Sequence, residues 1–381
     1  MPHMTSEKSP TSRRDFLGKV AIGGTVLLGA TGPVTAKAPT PSDDVAFEEG
    51  LTYATREAGE NQTAGDLELD LYYHPNSKEP TPLVVYIHGG GWITGSRKST
   101  PDLMEYFASR GYAMATIDHR YSFVPDDIDP FFPPNDIHPK GKFPDHIVDV
   151  KAAIRWLRAH ASEYNIDTDN VATWGSSSGA HLSALAAAVD DVEDVEGDVY
   201  DINPTVATEQ SGKVQAAVPW YPPTDLLLMD EQDSNDSGAQ GIIPHNARNS
   251  PESMLIGEKI TEAPEKVARA NPITYVNEDS APMLLMHGRQ DRLVPYEQST
   301  ILYEALRDAC VEASFHELDT LGHGFGFGEL TQKPVIEQTV YTTKGCKSAG
   351  GRGSPPTDRT SSGPPAGPKV VEQFLDRHLS R

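Results

Sequence analysis

Short apolar runs alternate with helically spaced stretches along this chain, and that alternation predicts an α/β fold, a mainly parallel central sheet with helices on both faces. Three observations carry the reading. The runs at 82–87, 112–117, 171–174, 214–220 and 282–286 are largely free of charged residues, as strands buried on both faces must be. Helical spacing falls between them, most strongly in an amphipathic stretch over 145–164. Neither an internal repeat nor an interdomain linker interrupts the pattern, so a single folded domain over 66–381 is the economical reading.

Taken in order, residues 1–38 stand apart. Ser12-Arg13-Arg14-Asp15-Phe16-Leu17 and Lys19 precede an apolar stretch at 20–30 and small residues through Ala36-Lys37-Ala38. That is the layout of a twin-arginine export signal. Its apolar part is too short for the ~20 helical residues that cross a bilayer. The expectation is export to a secreted or periplasmic destination, with no membrane span. Residues 39–65 read as polar and irregular. Residues 67–73 alternate apolar and acidic, a half-exposed strand near the sheet edge. The buried strand 82–87 runs straight into His88-Gly89-Gly90-Gly91-Trp92.

A helix over about 101–110 and a strand over 112–117 follow, then Asp118-His119-Arg120-Tyr121. A Pro-rich loop, 124–144, separates these from the helix 145–164. Past the strand 214–220, residues 222–270 are acidic and Pro-broken, an excursion that helps shape a mouth above the sheet. The strand 282–286, a helix over 296–309 and the last strand, 313–318, come next. Residues 330–368, rich in Gly, Pro, Ser and Thr, read as a flexible insertion before a terminal helix over 370–379.

The formal charge of the 381-residue chain is −23. Residues 1–38 hold five Lys/Arg against Glu7 and Asp15, so the remainder is more acidic still, about −26. Such a surface argues against nucleic acid or an anionic membrane as partner, and it also suits high salt. Export makes a disulfide between the two cysteines, Cys310 and Cys346, chemically permissible, although spacing does not show that they meet. Cys and His show no metal-ligand spacing, so neither metal nor cofactor is expected.

Chemistry concentrates at Gly175-Ser176-Ser177-Ser178-Gly179, between the run ending at Trp174 and the Ala/Leu-rich helix pattern from Ala180. This is the G-x-S-x-G of a nucleophile elbow. A serine hydroxyl attacks poorly unless held exposed beside a base, and a tight strand-to-helix turn holds Ser177 so. Three serines flanked by glycines also describe an ordinary polar turn; the preceding strand and following helix favour the elbow.

Ser177 then needs a base, and the base an acid to orient it. In open α/β sheets such groups sit at the carboxyl ends of strands. His323, in Leu321-Gly322-His323-Gly324, lies just past the last strand. Asp291 follows the preceding strand and could accept the second imidazole N–H. Ser177, Asp291, His323 is also the chain order of the hydrolase elbow. His181, His287 and His316 fit core or supporting positions better. The N–H groups of Gly90, Gly91 and Ser178 are the candidate oxyanion donors. Trp92, Trp220 and Tyr221, at strand ends, are candidate substrate contacts or else core.

With these segments on view, the chain resembles an α/β-hydrolase esterase of the His-Gly-Gly-Gly kind, related to hormone-sensitive-lipase-like esterases. It is most similar to secreted acetyl-xylan and feruloyl esterase-like members. The resemblance rests on residues 86–96, 118–122, 143–185, 281–295 and 321–327. Ala180 stands where many such proteins carry a further Gly, the 330–368 insertion is unusual, and no large N-terminal cap is evident. The resemblance implies a serine carboxylesterase acting through an acyl-enzyme on small-molecule or polysaccharide esters. A peptidase or amidase of the same fold, or a non-catalytic hydrolase-fold binding protein, is the alternative.

Overall fold

The computed structural model describes residues 44–60, 62–135, 139–190, 192, 195, 206–235, 243–332, 337–344, 359–361 and 363–380. The expected signal, residues 1–38, lies outside them. In chain order the strands are β1 (Ala46–Arg56), β2 (Gly65–Tyr73), β3 (Thr81–Ile87), β4 (Ala113–Ile117), the short pair β5 (Tyr121–Ser122) and β6 (Lys140–Gly141), β7 (Ile166–Ser176), β8 (Ala216–Trp220), β9 (Met283–Gly288), β10 (Glu312–Leu318), β11 (Gln338–Lys344) and β12 (Arg359–Ser361). All but β5 and β6 form one sheet, in the order β1-β2-β4-β3-β7-β8-β9-β10-β11-β12. The block from β4 to β10 is parallel, and antiparallel strands flank it on either side.

Both faces of the parallel block are covered, which is why β3, β4, β8 and β9 are buried along their whole length. Every residue of β3 is buried. Leu83, Val85 and Ile87 face one core with Ile154 and Leu157 of helix Asp145–Ala159 and Leu182 and Leu185 of helix Ser178–Ala188. Val84 and Tyr86 face the other, with Phe107 of helix Pro101–Ala108 and Phe374 of helix Pro368–His378. Burying each such side chain contributes roughly 1.5–3 kcal/mol before the entropy of ordering is subtracted. The expectation of one amphipathic helix over 145–164 is met by two. Helix Asp145–Ala159 turns at His160 into Ala161–Tyr164, which Asn165 ends in the left-handed region.

Two expectations fail. Residues 39–65 are not irregular throughout: 46–56 form β1, the edge strand, paired antiparallel with β2. Its register shifts between Glu48 and Leu51 and again between Thr52 and Ala54, with Gly50 at φ 71° in the first shift. A bulge advances the pleat by one residue, so the apolar positions never show a steady period of two. The insertion 330–368 likewise contains order. Gln338–Lys344 pairs along its length with β10, and Arg359–Ser361 pairs with β11. The β-branched run Thr-Val-Tyr-Thr-Thr supplies the strand that neighbouring Gly, Pro and Ser concealed. Cys310 is disulfide-bonded. The other cysteine of the expected pair, Cys346, lies outside the described residues. No helix among the described residues is long and apolar enough to cross a membrane.

Register brings the carboxyl ends of the parallel strands level: Ile87 with Gly175, Ser176 with Trp220, Gly288 with Leu318. The segments that leave those ends are 88–92, 177–178, 221, 289–295 and 319–325. Every residue expected to carry chemistry is therefore on one edge of the sheet.

Candidate active site

Strand β7 ends at Ser176 and helix Ser178–Ala188 starts two residues later, leaving Ser177 alone to make the turn at φ 55°, ψ −124°. An L-residue rarely adopts this conformation. Two glycines make it sterically feasible. A Cβ at Gly175 would meet the Gly179 carbonyl oxygen at 2.2 Å, and one at Gly179 would meet that of Ile87 at 2.1 Å. The turn is fastened by the Ser177 N–H, which donates to Trp220 O at 2.9 Å, and by the His181 N–H, which donates to Ser177 O at 3.0 Å.

The structure brings the three widely separated residues into one hydrogen-bonded line. Ser177 Oγ lies 3.0 Å from His323 Nε2, and His323 Nδ1 lies 2.7 Å from Asp291 Oδ2. The Asp291 side chain is wholly buried, while His323 retains some access to solvent. Burial acts to raise the pKa of the Asp291 carboxyl, but His323 and His287, by charge and by hydrogen bonds, hold it well below the usual carboxylate range. Oδ1 accepts from the N–H groups of Leu293 and Val294 at 2.8 and 2.9 Å. Asp291 is thus a fixed anion, and only one tautomer of His323, with its proton on Nδ1, satisfies it. Nε2 is then a lone pair aimed at the Ser177 hydroxyl, the arrangement needed to take its proton.

His287 has the supporting place that sequence gave it. Nε2 lies 3.2 Å from Asp291 Oδ2 and 3.0 Å from Val294 O, and the Ser299 hydroxyl donates to Nδ1 at 2.8 Å. His316 is buried in β10.

The glycine segment after β3 packs directly on the elbow: a Cβ at Gly89 would stand 3.2 Å from Ser177 Cβ. Gly90 and Gly91 continue this segment, and the Gly90 carbonyl accepts the N–H groups of Ile93 and Thr94, each at 3.1 Å, closing it into a turn. Ser178 opens the elbow helix, where the first N–H groups have no partner within the helix. Five residues beyond the glycine segment, Arg97 pairs with Asp70 at 2.9 Å, Glu68 at 2.7 Å and Asp118.

The expected substrate contacts are corrected. Trp92 and Trp220 are 1% and 2% exposed and Tyr221 5%, which leaves no face for a ligand. Trp92 donates its indole N–H to His181 Nδ1 at 3.2 Å. Trp220 packs on Trp174 and Phe325, with ring centroids 5.0 and 5.5 Å away. Tyr221 donates its hydroxyl to Phe325 O at 3.0 Å and sets its ring edge-on to His323 at 4.8 Å. These aromatics back the site rather than line it. Beneath the nucleophile, Ser176 Oγ lies 3.1 Å from the buried Tyr86 hydroxyl. Sequence reasoning missed this pair, and only the adjacency of Ser176 to Ser177 could have signalled it.

The family model described as BD-FAE matches residues 69–306, a span that holds 88–92, Ser177 and Asp291 and stops short of His323. The chain is 29% identical over 307 residues to "Probable carboxylic ester hydrolase LipM" of Mycobacterium tuberculosis, covering 76% of this chain and 60% of that protein. For "Esterase LipQ" of the same organism the identity is 28%, over 71% of this chain and 57% of the other. The chain thus spans less than two thirds of the length of these curated relatives. Among solved structures, "Truncated form of carbohydrate esterase from gut microbiota" is 28% identical with a TM-score of 0.58, covering 75% of this chain and 92% of that one. The acetyl ester-xyloside bifunctional hydrolase from Caldicellulosiruptor lactoaceticus, at 20% identity and a TM-score of 0.55, covers 78% of this chain and 93% of its own, a likeness of fold. The fold is that of the α/β hydrolases.

Proposed function

Because the chain belongs to the BD-FAE family, we propose that it is a serine carboxylic-ester hydrolase in which Ser177, His323 and Asp291 act as nucleophile, base and orienting acid. The observation that carries this reading is the line from Ser177 Oγ to His323 at 3.0 Å and on to Asp291 at 2.7 Å, at the top of a strained elbow. Ser177 Oγ attacks the ester carbonyl while its proton passes to His323 Nε2. The negative charge that develops on the carbonyl oxygen is met by the N–H groups of Gly90, Gly91 and Ser178; one such donor is worth about 3 kcal/mol in the barrier. His323 then gives its proton to the departing alkoxide, and the alcohol leaves an acyl-Ser177. Water, deprotonated by the same imidazole, hydrolyses the acyl-enzyme and restores Ser177.

The substrate class we propose is acetyl or feruloyl esters of polysaccharide, or small esters like them. It is supported by the carbohydrate esterase among the structural neighbours. A polysaccharide substrate lies outside the cell, which agrees with export by the twin-arginine route through residues 1–38. A fluorophosphonate probe should label the wild-type protein and leave Ser177→Ala unlabelled, and equal labelling of both refutes the assignment. A panel of acetyl, butyryl and feruloyl esters and acetylated xylan then ranks the substrates.

A further inference from the structure

The glycine segment and the elbow helix are joined side chain to side chain by a buried contact that the chemical steps do not use. Trp92 directly follows Gly91, and at φ 57° its backbone turns the indole inwards rather than towards the mouth. Its Nε1–H donates to His181 Nδ1 at 3.2 Å, with the two rings edge-on at 5.1 Å and 87°. His181, with 0% exposure, sits one helical turn past the nucleophile, and its backbone N–H is bonded to Ser177 O. On the other side of its ring, Nε2 lies 2.7 Å from the carbonyl oxygen of Ala270. A carbonyl can only accept, so Nε2 carries the ring proton and Nδ1 is left as the lone pair that the indole requires. The tautomer, the indole and the Ala270 carbonyl therefore specify one another, and a single imidazole ties together the glycine segment, the elbow helix and the end of helix Pro264–Ala270.

We propose that His181 is a positioning residue which, through Trp92, sets the spacing between the Gly90–Gly91 N–H groups and Ser177. Oxyanion donors act only when held 2.7–3.1 Å from where the charge appears, and a misplacement of 1 Å can cost about 10²-fold in rate. The Trp92–His181 bond holds the last residue of the glycine segment against the first turn of the helix that follows Ser177, so slack there moves donor relative to nucleophile. The binding of ground-state ester, which makes no oxyanion, is unaffected by that slack.

The inference rests on the esterase reading, and the experiment separates the two. Trp92→Phe keeps the ring and removes the donor; His181→Leu removes acceptor and donor; His181→Gln keeps one of each in its amide. On nitrophenyl acetate, Trp92→Phe and His181→Leu should lower kcat between roughly 10- and 100-fold with KM within about twofold. Affinity for a trifluoromethyl ketone, whose adduct carries the oxyanion, should fall by the same factor, and His181→Gln should recover most of the loss. If His181→Leu does not fold, Trp92→Phe with a native circular dichroism spectrum decides. Wild-type kcat in that variant, or a loss confined to KM, overturns the positioning role and leaves the esterase reading intact. A wild-type protein that hydrolyses no ester in the panel ends both.

Discussion

Replacing Asp291 by Asn changes one atom and inverts the hydrogen-bond logic of the site. Oδ2 accepts from two imidazoles, His323 Nδ1 at 2.7 Å and His287 Nε2 at 3.2 Å, while Oδ1 accepts from two backbone N–H groups. The amide oxygen of Asn will be claimed by Leu293 and Val294, whose N–H groups cannot turn away. That leaves the NH2 group facing His323, and two donors cannot face one another. His323 then moves its proton to Nε2 to present a lone pair at Nδ1, and in that tautomer it cannot receive the Ser177 proton. In the general Ser-His-Asp template this change of tautomer costs about 10⁴ in kcat, or about 5.5 kcal/mol in the barrier. The assay is kcat on nitrophenyl acetate beside the rate of fluorophosphonate labelling, both of which should collapse together while the melting curve stays cooperative. A folded Asp291→Asn protein within tenfold of wild type refutes the tautomer argument. The depressed pKa of Asp291 adds a sign. A carboxylate held below its unfolded value keeps its contribution above that value and loses it only as pH falls through the lower, folded one. Protonation of Asp291 therefore does not set the acid limb of the rate profile in mildly acidic solution.

Two further outcomes follow from buried contacts. Tyr221→Phe removes the hydroxyl that fixes Phe325 O, two residues beyond His323, and kcat should fall about three- to tenfold with KM little changed, as steady-state kinetics on nitrophenyl acetate will show; full kcat would mean that the His323 loop needs no such brace. Asp149, fully buried, pairs with Arg56 at 2.8 Å and Arg120 at 2.9 Å. Burial acts to raise its pKa, but the two guanidiniums outweigh it and bring the carboxyl down to about 2. Its contribution, about 2 kcal/mol, is complete above pH ~4 and disappears as pH falls towards 2, so urea unfolding at pH 7 and pH 3 should show a slope that Arg120→Met flattens. An unchanged slope in that variant counts against the pairing.

How much of this could be read from sequence follows from what backbone geometry hides. The Ser177 turn was legible because two glycines two residues either side of a serine have a steric cause, here a Cβ collision at about 2 Å with carbonyl oxygens. His323 and Asp291 were legible because each follows a strand, and a parallel sheet puts the ends of β9 and β10 side by side. The aromatic contacts were misread for the opposite reason. Trp92 and Tyr221 sit at strand ends as expected, but both have left-handed backbones, φ 57° and 46°, which swing their rings away from the mouth. Nothing in the letter sequence announces a positive φ at a tryptophan. Strand β1 was missed because its two register shifts erase the period of two, and β11 because a seven-residue strand is outweighed by its surroundings.

The Arg56–Asp149 pair also bears on where the folded unit begins. Arg56 belongs to the outermost strand, yet its guanidinium reaches the middle of helix Asp145–Ala159, 93 residues along the chain. A shortened protein starting at residue 66 would look complete by motif, with elbow, glycine segment and acid all retained. It would nonetheless strip one of two cations from a submerged anion and bare an unpaired edge on β2. Such a trimmed form is a recipe for misassembly, and the stretch ahead of the first recognisable motif is as much part of the globule as any that follows.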